Sequence, residues 1–254
     1  MTAPASSSAQ AGAWRQAASR ALAALAAFTA LGLPCAAHAQ FAATLGIESV
    51  NRYRGTGTDD VGPVVRTSVM ADSAPGAYGG ISGLWRTRDA GLASADAMVG
   101  WSGRLNELPG LAALSPGWGW DAALHRTHYG ESARYDFSEA MAGLLAPVGS
   151  LRTWFAPHYF GGPLHTLYTE LDASHALDDR WHVFGHVGWL HYGHAAMYQA
   201  RVPDRVDTLA GIGATLSSWD IHLARDGIVA GNARTDIDAR RRHAAWILGA
   251  SVAF

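Results

Sequence analysis

The chain has 254 residues, of which 49% are hydrophobic and only 16% charged, with a formal net charge of −2. That charge content lies well below the roughly 25% of an average soluble domain. The lack of a basic excess excludes a nucleic-acid partner.

Residues 1–39 read as a cleavable signal peptide. Arg15 and Arg20 precede the apolar stretch ALAALAAFTALGL (21–33), and AHAQ (37–40) offers an A-x-A cleavage site after Ala39. The apolar stretch is shorter than the about 20 residues a helix needs to span a bilayer. Cleavage there leaves a mature chain starting at Gln40 with no cysteine, and hence no disulfide. No later run of apolar residues is long enough for a transmembrane helix. The mature protein is then either soluble in the periplasm or crosses a membrane as strands.

Periodicity decides between these. Ala93, Ala95, Ala97, Val99 and Trp101 alternate with Ser94, Asp96, Met98, Gly100 and Ser102. Val206, Thr208, Ala210, Ile212, Ala214 and Leu216 alternate with Asp207, Leu209, Gly211, Gly213, Thr215 and Ser217. The terminal AWILGASVAF (245–254) places Trp246, Leu248, Ala250, Val252 and Phe254 on one face. A period of two means strands with unlike faces. In chain order they are expected at 42–53, 64–73, 77–87, 92–104, 118–129, 134–146, 151–160, 166–176, 181–191, 205–216, 219–226 and 242–254. Their length suits tilted strands crossing a bilayer rather than the shorter strands of soluble domains.

The connections alternate between short and long. SAPGA (73–77), PVGS (147–150), LDDR (177–180) and SS (217–218) read as tight periplasmic turns. GTGTDDVG (55–62), GHAAMYQARVPD (193–204) and GIVAGNARTDIDAR (227–240) read as outer loops. LNELPGLAALSPG (105–117) is long for a periplasmic turn, and its leucine spacing allows a short amphipathic helix. Trp85, Trp101, Trp118, Trp120, Trp154, Trp181, Trp189, Trp219 and Trp246 fall mostly near strand ends, as an interfacial aromatic belt would. The expected fold class is therefore all-β, a transmembrane up-and-down antiparallel β-barrel of about twelve strands over residues 40–254. A soluble sandwich would need more surface charge and a bulkier apolar face.

Some segments carry a family likeness. SVNRYRG (49–55), Pro63, GAYGGISG (76–83), FAPHYFGG (155–162), LYTELDASHAL (167–177) and GHVGWL (185–190) resemble the Gcw_chp proteins, also called TorF-family porins. Asn51 stands where that pattern has Tyr, with Tyr53 close by. The resemblance implies an outer-membrane barrel of a Gram-negative bacterium and a pore, and no catalytic residue.

With the apolar faces toward lipid, the other faces line the lumen. The expected pore lining is Glu48, Arg66, Asp96, Asp121, Glu139, Glu170, Asp172, His182, His186 and Asp220, with Arg52, Asp72, His125, Arg152, Asp207 and His222 also on the inner face. Acids outnumber arginines there, so an open pore is expected to prefer cations. A passive channel for small hydrophilic solutes or ions is the leading reading. A filled barrel acting as a structural or receptor protein is an alternative, since twelve strands fall between filled eight-strand barrels and open sixteen-strand porins.

An outer-membrane hydrolase is the remaining class. Ser174 and His175 are adjacent, so they point to opposite faces and cannot pair, and no G-x-S-x-G occurs. No metal or other cofactor is expected. His182 and His186 lie roughly 13 Å apart along one strand face, and His191, His194 and His165 lack a supporting motif. The expected partners are membrane lipids, solutes or ions, and the barrel-assembly machinery. Phe254 at the end of the closing strand is expected to serve as the assembly signal.

Overall fold

The computed structural model describes residues 40–54, 56–57, 62–73, 76–110, 117–193, 204–230 and 244–254. The expected signal peptide, residues 194–203 and 231–243 of the expected outer loops, and residues 111–116 of the expected amphipathic segment lie outside the described residues.

The strands in chain order are β1 (Gln40–Glu48), β2 (Arg52–Tyr53), β3 (Thr56–Gly57), β4 (Val64–Asp72), β5 (Ala77–Arg86), β6 (Leu92–Arg104) and β7 (Gly119–Tyr129). They continue with β8 (Phe137–Ala146), β9 (Gly149–Ala156), β10 (Thr166–Ala176), β11 (Trp181–Tyr192), β12 (Arg205–Leu216), β13 (Trp219–Ala230) and β14 (Trp246–Ala253). All except β2 and β3 form one closed barrel in which each strand pairs with its sequence neighbour and β14 returns to β1. Every ladder is antiparallel, as up-and-down connections require. The structure is thus a twelve-strand transmembrane β-barrel.

Closure satisfies every strand edge, which is what permits strands in lipid. The outer face is apolar and solvent-accessible. Phe41, Val99, Leu124, Leu171 and Leu248 are each more than half exposed on the outer wall. Trp101, Trp181, Trp219 and Trp246 also face outward.

Two expectations need correction. The first strand does not run to Tyr53. Its ladder ends at Glu48, where Ser49 bonds Leu248 through both its backbone N–H and its Oγ. The chain then turns into the lumen, because Asn51, Arg52 and Arg54 each find a polar partner there. Trp154 is not part of the outer aromatic belt. It shares the inward parity of Arg152, and its indole N–H donates to Glu170 at 2.8 Å. Elsewhere the strands fall near their expected positions, except that β8 starts at Phe137 rather than 134, β9 runs Gly149–Ala156 rather than 151–160, β14 starts at Trp246 rather than 242, and β13 extends to Ala230. Leu105–Glu107 forms a single 3-10 turn where an amphipathic helix was considered.

Candidate functional site in the barrel lumen

The register sets which side chains point inward. Pairing of Asp121 with Ser102 and Gly143, of Glu139 with His125, of Glu170 with Arg152 and Gly188, and of Asp172 with His186 puts these groups on one wall. By the same parity Glu48, Arg66, Asp96, His182 and Asp220 lie on the inner face. The structure divides them into separate small networks. Arg66 pairs Glu48 at 3.1 Å, Asp96 accepts from Thr127 at 2.7 Å, and Asp121 lies 3.4 Å from Arg152. Asp220 lies 3.6 Å from both His182 and His222.

The lumen also contains a segment of its own chain. β2 and β3 form a small hairpin with registered pairs Arg52↔Gly57 and Tyr53↔Thr56. Three contacts fix this inner hairpin at separated points around the ring. Arg66 on β4 donates to Asn51 at 2.8 Å, Arg52 pairs Asp226 on β13 at 2.7 Å, and Arg54 makes a two-pronged pair with Glu139 on β8 at 2.6 and 2.8 Å. The Arg54 and Glu139 side chains are only 7% and 2% exposed.

Arg54 is also enclosed by aromatic rings. Its guanidinium lies 4.5 Å from the centre of Tyr168, 4.9 Å from Tyr53, 5.7 Å from Trp154 and 5.8 Å from Tyr159, all within cation–π range. Above this cage Phe137, Tyr159, Phe160, Tyr129 and Tyr192 pack into one aromatic cluster. Arg54 and Phe160 both adopt left-handed backbone, at φ 48° and 49°. Non-glycine residues rarely hold that conformation unless their surroundings impose it.

The opposite side of the cage opens on a cavity of about 690 Å³, which reaches the turn at Pro147–Ser150. Its charged lining is Glu139, Glu170, Asp172, Asp207 and Asp226 against Arg52, Arg54 and His186. His186 places Nδ1 2.7 Å from Asp172 and Nε2 3.0 Å from Asp207, and the Tyr168 hydroxyl donates to Asp207 at 3.2 Å. Gly188 makes this packing possible, because a Cβ there would overlap the Tyr168 hydroxyl. Glu170, Asp172 and His186 each bring one potential metal-ligand atom within 4.8 Å of the others. All three are already engaged in hydrogen bonds, Glu170 by Trp154 and the other two by each other.

Sequence reasoning placed Glu139, Glu170, Asp172 and His186 on the inner face but passed over Arg54, Tyr168 and Trp154. The available signal was the polar cluster NRYRG (51–55), too charged for the tip of a strand facing lipid. Of the hydrolase candidates, Ser174 points inward opposite Phe184, and His175 points outward opposite Val183. His191 binds Asp204 at 2.9 Å, and His194 lies outside the described residues.

No protein-family model and no curated protein sequence matches the chain, so the narrower Gcw_chp likeness is without such support. Solved structures do match. A membrane protein crystallized in meso superposes with a TM-score of 0.53 at 7% identity, covering 84% of this chain and 83% of its own. The KdgM porin in complex with disordered oligogalacturonate superposes with a TM-score of 0.51 at 7% identity, covering 84% of this chain and 99% of its own. At such identities the likeness is one of fold: a closed antiparallel barrel of twelve strands, shared with the KdgM porin.

Proposed function

We propose that the chain is an outer-membrane channel for passive entry of small hydrophilic solutes or ions, constricted by its inner hairpin. The observation that carries this reading is the closed barrel enclosing a cavity of about 690 Å³ with ionised walls. Burying so many charged groups is costly unless they meet water, partners or a passing solute. Glu48, Arg66, Asp96, Asp121, Glu139, Glu170, Asp172, His182, His186 and Asp220 line the path in this proposal. Its membrane setting and lipid contacts rest on the apolar outer wall and on the fold shared with porins.

Charge sets the preferred solute. The complex of the structurally similar KdgM porin contains an acidic oligosaccharide. Here Glu139, Glu170, Asp172, Asp207 and Asp226 dominate the cavity, which favours cations and neutral solutes over polyanions.

Planar-bilayer recording of the refolded protein tests the proposal. Wild type is expected to give small, cation-selective steps, and the double variant Arg52→Ala/Arg54→Ala larger ones. A second reading, a filled barrel with a structural or receptor role, draws on the three-point anchoring of the hairpin. Absence of conductance in both proteins would establish that reading instead, and an anion-selective reversal potential would sink the cation preference.

A further inference from the structure

Glu139 is almost completely buried. Among the described residues its hydrogen-bond partners are Arg54 and, at 3.5 Å, Tyr53, both from the inner hairpin. The other rings of the cage have attachments of their own. Trp154 is held by Glu170, Tyr168 by Asp207 and His186, and Tyr159 by its backbone N–H on the Leu164 carbonyl and its edge contact with Phe137. The barrel strands thus supply Glu139, Trp154 and Tyr168, and the β9–β10 connection Tyr159, so a carboxylate and three aromatic rings surround this position from outside the hairpin. Beside it, His125 Nδ1 is buried without a hydrogen-bond partner among the described residues.

Resting on the channel reading above, we infer that this wall is a binding site for organic cations, guanidinium or alkylammonium solutes, and that Arg54 occupies it as an internal ligand. A guanidinium is planar and weakly hydrated, so it can meet a carboxylate with two parallel bonds while its faces lie on aromatic rings. A small metal ion such as Na⁺ demands a shell of oxygens, which a wall of one carboxylate and three rings does not supply. The cavity below adds Glu170, Asp172 and Asp207, which raise the local concentration of cations next to the site. Exchange of Arg54 for a solute also releases Arg54 from its left-handed backbone.

Chemical rescue tests the site. Arg54→Ala is expected to lower the thermal midpoint of the refolded barrel, measured by heat-modifiable gel migration. Methylguanidinium at millimolar concentration should recover about half of the loss in a saturable way, as a ligand binding only the native state does. Potassium at the same ionic strength should recover none. The double variant Arg54→Ala/Glu139→Gln should not respond to either. Equal recovery by potassium, or equal recovery in the double variant, would overturn the site.

Uptake into liposomes carrying the wild-type protein supplies a second readout, decisive if Arg54→Ala does not refold. Agmatine should enter several-fold faster than a carboxylate solute of similar size, and equal entry would overturn the substrate class. If no solute enters while methylguanidinium still rescues, the binding site stands and the channel reading falls.

Discussion

At the scale of single residues, the pair Arg54 and Glu139 concentrates the polar chemistry of the lumen. Removing one member of a buried ion pair costs roughly 3–5 kcal/mol, because the other is left charged and dry. Glu139→Gln should therefore lower the unfolding free energy of the refolded barrel, measured by urea titration, by that order. By contrast, Arg126→Ala should change it by less than about 1 kcal/mol, since Arg126 is 57% exposed and lies 3.7 Å from Asp136. Equal effects from both substitutions would mean that Glu139 is solvated. The inward position of Glu139 was legible from alternation with Ala140 and Ala142. Its partner was not, because Arg54 lies 85 residues away in the chain and no local pattern encodes that encounter. Trp154 shows the opposite case: its parity with Arg152 already pointed inward, and only its proximity to a strand end suggested the interface.

Strands and turns were more legible than the hairpin. A strand with one wall in lipid and one on a polar lumen imprints a strict period of two, and β6, β12 and β14 display it fully. The ending of β1 was misread because SVNRYRG keeps β-forming residues past the point where the ladder stops. What ends the strand is the supply of inward partners for Asn51, Arg52 and Arg54, a tertiary effect. The turn between β10 and β11 is stabilised locally. The Asp178 carboxylate accepts the backbone N–H groups of Trp181 at 2.7 Å and Arg180 at 2.8 Å. Those bonds, that of Trp181 foremost, hold its pKa below the usual carboxylate range. A native value below the unfolded value of about 3.9 means that this stabilisation is complete above pH 4 and fades as pH falls through the native value. Asp178→Ala should accordingly lower the thermal midpoint at pH 7, and the gap to wild type should close in acid. A gap that persists unchanged at pH 2 would show that the side chain acts by packing instead.

For the molecule as a whole, strand order and closure followed from counting alternating segments and tight turns. The filling of the lumen did not, because an alternating strand reads the same whether its polar face meets water or a folded-in loop. Phe254 belongs to this scale. It points outward at the end of β14, and its backbone exchanges hydrogen bonds with Ala43 at 2.9 and 3.4 Å. We propose that it is the signal by which the barrel is assembled. Deleting Phe254 should then reduce the amount of folded barrel in the membrane several-fold while leaving the conductance per folded molecule unchanged. Wild-type membrane levels of the deletion, measured by heat-modifiable migration, would remove that role.

The pairing of β1 with β14 also bears on how the barrel forms. This ladder runs from Thr44↔Ala253 to Glu48↔Gly249, extended at its ends by the Ala43–Phe254 and Ser49–Leu248 bonds, whereas β1 meets β4 along its whole length, from Gln40↔Asp72 to Glu48↔Val64. It joins residues about 200 positions apart, so the chain entropy lost in closing it is the largest of any ladder. The other ladders are hairpin-local and can zip in sequence. The β1–β14 seam is then the last contact made in folding and the first one broken. Opening that seam would leave a curved sheet with two unpaired edges, a form prone to pair with other chains.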